Sequence, residues 1–79
     1  MTLEELKTEL ADIMGLDAAD ISDATNQDNT PEWDSMASLQ VISLLDEAAD
    51  GEIEADDAEK LTSFGAVVEL ARARGVLSD

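Results

Sequence analysis

Cysteine and histidine are both missing from this chain. Their absence excludes a disulfide framework, a Ser-His or Cys-His nucleophilic pair and a conventional zinc site. Thiol chemistry at this protein would need a group brought in from outside. Aromatic residues are reduced to Trp33 and Phe64, and proline to Pro31 alone. Basic residues are scarce too: 4 Lys and Arg stand against 20 Asp and Glu, a net charge of −16. Such a surface repels nucleic-acid phosphates and anionic lipid headgroups. It suits encounter with basic patches on partner proteins. No apolar run approaches membrane-spanning length. The start, Met1-Thr2-Leu3-Glu4-Glu5, has neither the basic residues nor the apolar run of a secretory signal, so a cytoplasmic protein is expected.

What is there favours helix. The 79 residues are enough for one domain, 1–79, and 44% of them are apolar. A chain of this size buries only about 60% of its unfolded surface, so the core is thin. Ala, Leu, Glu and Asp dominate, and no stretch alternates as a strand would.

The pattern predicts a first helix over Thr2 to Met14. Thr2 and Glu5 have capping-box spacing, and Leu3, Leu6, Leu10 and Ile13 share a face. Gly15 is its natural stop. Leu16 to Glu32 reads as a long polar loop, pinned by Leu16 and Ile21, with a helical turn beginning at Asp20. A second helix is expected from Ser35 to about Ala49, closed by Gly51. Its core stripe is read as Met36, Leu39, Ile42, Leu45 and Ala49, with Val41, Leu44 and Ala48 extending the apolar surface. A short third helix, Asp56 to Lys60, is anchored by Ile53 and Leu61. Thr62 or Ser63 then caps a fourth, Phe64 to about Arg74, whose apolar face is Phe64, Val67, Val68 and Ala71 with Leu70. Gly75 ends it, and Val76 to Asp79 is a short tail. The expected fold is all-α: a small four-helix bundle with three longer helices and one short one.

One stretch stands out: Glu32-Trp33-Asp34-Ser35-Met36. Pro31 bars a helix before it, and Asp34 and Ser35 are both good N-cap types. Trp33 reads as a hydrophobic staple at the helix entry. A serine at a helix start is exposed and held by a fixed backbone, yet no base in this chain activates it. It is a poor catalyst and a good modification site. A negatively charged group attached there would meet the positive end of the helix, worth ~0.3–1 kcal/mol, opposed by Asp34 and Glu32.

The stretch resembles the acyl carrier protein family. In that family an Asp-Ser followed by a large aliphatic residue opens the second helix. Here the matching residues are Asp34, Ser35 and Met36. The likeness extends over nearly the whole chain and includes Ala58-Glu59-Lys60-Leu61-Thr62-Ser63, similar to the family's passage from third to fourth helix. The resemblance implies a 4′-phosphopantetheine arm on Ser35, delivered from coenzyme A by a phosphopantetheinyl transferase, with Asp34 supporting the transfer alongside a magnesium ion held by that enzyme. It implies an acyl or aminoacyl cargo carried as a thioester. It also implies a loading enzyme and a downstream synthase or transferase as partners. The carrier is then not an enzyme and has no metal site of its own. A monomer is expected. Leu39, Ile42, Phe64 and Val67 would line the interior, as plain core or as shelter for an acyl chain.

Two features depart from the family. Glu32-Trp33 stands where a glycine is usual. The first three turns of the second helix, Ser35 to Leu45, hold no charge at all; its acids begin at Asp46 and Glu47. This points to an apolar docking face built on Met36, Val41 and Leu44, with Glu47 and Ile53 alongside. Such a face suits a specialised fatty acid, polyketide, aminoacyl or lipid-modifying pathway. Two other readings stay open. Asp46 to Asp57 overlaps the calcium-loop pattern of an EF-hand, though position 3 is Ala48 and position 12 is Asp57 where a glutamate is usual. A plain acidic helical interaction module, with Ser35 only a cap, is the other.

Overall fold

A computed structural model describes residues 1–51 and 53–78 of the chain. It is helical, with four α-helices in the order α1 (Leu3–Met14), α2 (Ser35–Ala48), α3 (Ala55–Glu59) and α4 (Phe64–Ala73), and a 3-10 turn at Ala18–Asp20. No strand occurs among the described residues. The all-α expectation and the helix order hold. Asp79, the last residue of the expected tail, lies outside the described residues.

The helix starts follow the side chains. Thr2 accepts from the Glu5 N–H and Glu5 answers to the Thr2 N–H, the reciprocal capping box. Ser63 caps α4 by accepting from Ala66 N–H at 3.1 Å. The ends share one design. The three longer helices each close with paired 6→1 and 5→2 hydrogen bonds, for example Leu16 N–H to Ala11 O at 2.8 Å and Val76 N–H to Ala71 O at 2.8 Å. The left-handed residue is Gly15 in α1 and Gly75 in α4.

The close of α2 differs from expectation. Gly51 N–H reaches Asp46 O at 2.8 Å, and the left-handed 5→2 position before it is Asp50, at φ 55°. A side chain is strained there by ~1–2 kcal/mol, less for aspartate than for most residues. Asp50→Gly relieves this and adds about 0.4–1 kcal/mol of unfolded-state entropy in return. We expect a net gain of up to about 1 kcal/mol, a rise in Tm of a few degrees, read by thermal circular dichroism.

The core is one cluster. Leu6, Leu10, Ala11 and Met14 come from α1; Ala37, Val41 and Leu45 from α2; Phe64, Val67 and Ala71 from α4; Ile21, Trp33, Leu61 and Val76 come from the connections. Leu16 and Ile53 pack against it half-buried, in the anchoring roles expected of them. The expected stripe on α2 is corrected. Its large residues Met36 and Leu39 are 70% and 65% exposed, while the buried line is Trp33, Ala37, Val41, Leu45 and Ala49. Before Asp46 the helix has no charged residue to mark its solvent side, and its few uncharged polar residues, among them the exposed Gln40 and Ser43, were outweighed by the size of Met36 and Leu39.

The long connection is ordered by its own amides. Asn26 Oδ1 accepts from the N–H groups of Asp28 and Asn29 at 2.8 and 2.9 Å, and Asn29 Nδ2 donates to Ala24 O at 2.7 Å. Backbone bonds then tie it to the entrance of α4: Gln27 N–H to Thr62 O at 3.0 Å, and Phe64 N–H to Thr25 O at 2.9 Å. The helical turn sits at Ala18–Asp20, ending rather than beginning at Asp20. The tail is also fixed. Val76 is buried, and Ser78 N–H donates to Met1 O at 2.8 Å.

An ion pair joins α3 to the end of α4: Arg74 Nη2 to Asp57 Oδ2, 2.6 Å. The Arg74 guanidinium, and next the Glu54 N–H, hold the Asp57 carboxyl below its ordinary value. A depressed folded pKa stabilises the protein above the unfolded carboxylate range, and that contribution is lost as pH falls through the folded value. Wild type should therefore exceed Asp57→Asn in urea stability at neutral pH, and the gap should close in acid.

Candidate functional site

The site begins at the entrance of α2. The N-cap is Asp34, in extended backbone at φ −90°, and its Oδ1 accepts from Ala37 N–H at 2.9 Å. Ser35 is therefore the first helical residue and not the cap, which corrects the reading that gave its hydroxyl a capping role. The Ser35 side chain is exposed and makes no hydrogen bond among the described residues. Asp34 has thus taken the structural task and left the neighbouring hydroxyl unengaged.

The platform beneath this hydroxyl is firm. Trp33 is 3% exposed and belongs to the core. Its Nε1 finds no hydrogen-bond partner among the described residues, so apolar packing holds the ring. The residue at the staple's partner position is Ser38, which is polar, so a strict staple does not form. Trp33 instead heads the buried line that continues through Ala37 and Val41. From the loop, Gln27 Nε2 donates to Ser38 Oγ at 2.6 Å and ties the connection to the first turns of α2. Pro31 and Glu32 are exposed beside the entrance.

Electrostatically the entrance is simple. The entrance is the positive end of α2, and the first turn contains no acidic side chain. Asp34 lies beside Ser35, but its carboxylate is committed to the cap. No lysine, arginine or histidine lies between Gly15 and Glu59 in the chain. The segment therefore offers carboxylates, but no histidine or lysine, as a base for the serine.

The expected docking residues divide. Met36, Leu44 and Glu47 line one shallow groove, with Leu39 from α2 and Ile13 from α1. Gln40 and Ser43 complete it. Val41 does not belong there: it is fully buried, because it sits on the line that packs α2 onto the core. Ile53 lies beyond the end of α2, half-buried against the core, and does not line this groove. Leu39 and Ile13 were missed. The signal for Leu39 was the i+4 spacing from Ser35, which puts both on one face. No sequence signal brings Ile13 alongside α2.

The interior residues divide as well. Phe64 and Val67 are fully buried, Ile42 is half-buried, and Leu39 is outside. A hollow of about 240 Å³ lies between α3 and α4, floored by Leu61, Ala66 and Leu70 with Asp57 and Arg74 at its edge. The calcium loop is not formed. Asp46, Glu47 and Ala48 remain in α2, and Ala55–Glu59 is α3; Glu52 of that pattern lies outside the described residues. Among the described residues, no group of three or more acidic side chains is placed to hold a metal ion. No helix among them is long and apolar enough to cross a membrane.

Compared with known families and with curated proteins, the sequence matches no family model and no curated protein.

Proposed function

We propose that this protein is an acyl carrier whose attachment point is Ser35. The observation that carries the proposal is the division of labour at the α2 entrance: Asp34 caps the helix, and the adjacent Ser35 hydroxyl is exposed and unbonded. An arm attached there has a fixed origin and a free path into solvent. Attachment forms a bond from Ser35 Oγ to phosphorus and breaks the pyrophosphate of coenzyme A; adenosine 3′,5′-bisphosphate leaves. The serine proton passes to a base of the phosphopantetheinyl transferase, because this segment holds no histidine or lysine and the neighbouring Asp34 carboxylate is engaged in the cap. When bound, the 4′-phosphopantetheine supplies the thiol that a chain without cysteine lacks, and cargo travels on it as a thioester.

The chain's own part is to hold and present. The N-terminus of α2 places N–H groups near the diester charge, a gain of ~0.3–1 kcal/mol that the Asp34 and Glu32 charges oppose. Loading is then nearly neutral for folding. The bundle is an acyl-carrier type in this reading, with the amide-ordered connection allowing α1 and α2 to run without a tight hairpin. Asp34 supports transfer by fixing the serine backbone. The protein works as a monomer in the cytoplasm, performs no chemistry on its cargo, and serves a loading enzyme and a downstream synthase or transferase. Incubation with coenzyme A and a broad-specificity phosphopantetheinyl transferase tests this, with the modified residue mapped by peptide mass.

A further inference from the structure

We infer that Met36 is an oxidation switch: a peroxide converts its thioether to the sulfoxide, and the new polar group hinders modification of the adjacent Ser35. The regulation rests on the carrier reading; the oxidation itself rests only on exposure.

Little in this chain can be oxidised. It has no cysteine, histidine or tyrosine, so its susceptible side chains are three methionines and Trp33. Burial separates them. Met14 is 7% exposed and Trp33 3%, both inside the core cluster. Met1 is half-buried and packs against that cluster. Met36 is 70% exposed. An oxidant must touch the sulfur to react with it, so the first oxygen goes to Met36. Hydrogen peroxide is uncharged, and the net charge of −16 does not hold it off.

The chemistry balances with peroxide as the only co-reactant. A sulfur lone pair attacks one peroxide oxygen; the S–O bond forms and the O–O bond breaks. The departing hydroxide takes the proton left on the transferred oxygen and leaves as water. Sulfur loses two electrons and the peroxide gains them. No base of the protein takes part, so the lack of histidine is no obstacle.

Position gives the sulfoxide its effect. Met36 directly follows Ser35 in the first turn of α2 and lines a groove with Ile13, Leu39 and Leu44. Oxidation puts a polar, chiral group where a flexible apolar one stood. An enzyme closing on the Ser35 oxygen then has to desolvate that group. The fold is spared, because this side chain lies mostly in water in either state. The helix is held instead by the Asp34 cap and by the buried Ala37, Val41 and Leu45. Methionine sulfoxide reductases restore the thioether, which makes the change reversible.

The test treats the whole protein with hydrogen peroxide until its intact mass has gained a single oxygen, then removes the peroxide. Peptide mapping should place that oxygen on Met36, at least about tenfold ahead of Met14. A first oxygen on Met1 or Met14 overturns the inference. Arm transfer by a broad-specificity phosphopantetheinyl transferase is then measured. KM for the oxidised protein should rise about fivefold or more with kcat little changed and the far-ultraviolet circular dichroism unaltered. A methionine sulfoxide reductase should return KM to its starting value. Met36→Leu, compared with its own untreated sample, should show no rise. An equal rise in Met36→Leu overturns the switch by assigning the effect to another residue. An unchanged KM in oxidised wild type overturns it and leaves the carrier reading intact. Loss of helical signal with the first oxygen overturns it as well, by making the effect one of stability. No arm on untreated wild type removes the carrier reading and the switch together.

Discussion

Val41→Glu is expected to unfold the protein at neutral pH. Val41 is fully buried on the line that joins α2 to the core, in one cluster with Leu6, Leu10, Leu45, Phe64 and Val67. A carboxylate placed there is desolvated with no cation positioned to pair with it, a cost of several kcal/mol. A domain of 79 residues has roughly 4–12 kcal/mol to lose. The thin core makes the lower part of that range the relevant one. Burial would raise the new carboxyl's pKa, so protonation in acid should relieve part of the damage. Met36→Glu is the comparison: at 70% exposure its effect should stay within about ±0.5 kcal/mol. Far-ultraviolet circular dichroism and urea titration separate the two. Equal stability in both variants would place Val41 on the surface and contradict the packing described.

Ser35→Ala is expected to abolish arm attachment completely and to leave the fold intact. The hydroxyl makes no hydrogen bond among the described residues, and alanine is a good helix former at the first helical position. The stability change should therefore be within about ±0.5 kcal/mol. Asp34→Ala reverses the pattern of cost. It removes the acceptor of the Ala37 N–H and should cost ~0.5–2 kcal/mol of stability. The contrast between neighbours matters more than either value. If Ser35 were the structural residue, the two results would exchange places.

The helix starts and stops were readable because each is a local event. Thr2 with Glu5, Gly15, Ser63 and Gly75 do their work within one turn, and their spacing is visible in the chain. The phase of α2 was not readable. From Ser35 to Leu45 no charged residue marks a solvent face, so the pattern fits more than one stripe. Packing decided between them: Trp33 from the connection and the small Ala37 and Ala49 let α2 sit close to the core. That turned Met36 and Leu39 outward and Val41 inward. The order of the long connection was hidden for a related reason. Asn26 and Asn29 act through side-chain bonds whose partners depend on the loop's own shape. At the candidate site, the Asp-Ser pair could be found in the sequence, but not which member caps. Only the Asp34 to Ala37 bond assigns the roles.

Intact mass spectrometry of the wild-type protein, after incubation with coenzyme A and a broad-specificity phosphopantetheinyl transferase, tests the central claim most directly. The account predicts a gain of one phosphopantetheine arm per chain, located on Ser35. An unchanged mass under a transferase shown to be active on another carrier, or an arm on any other residue, would contradict it.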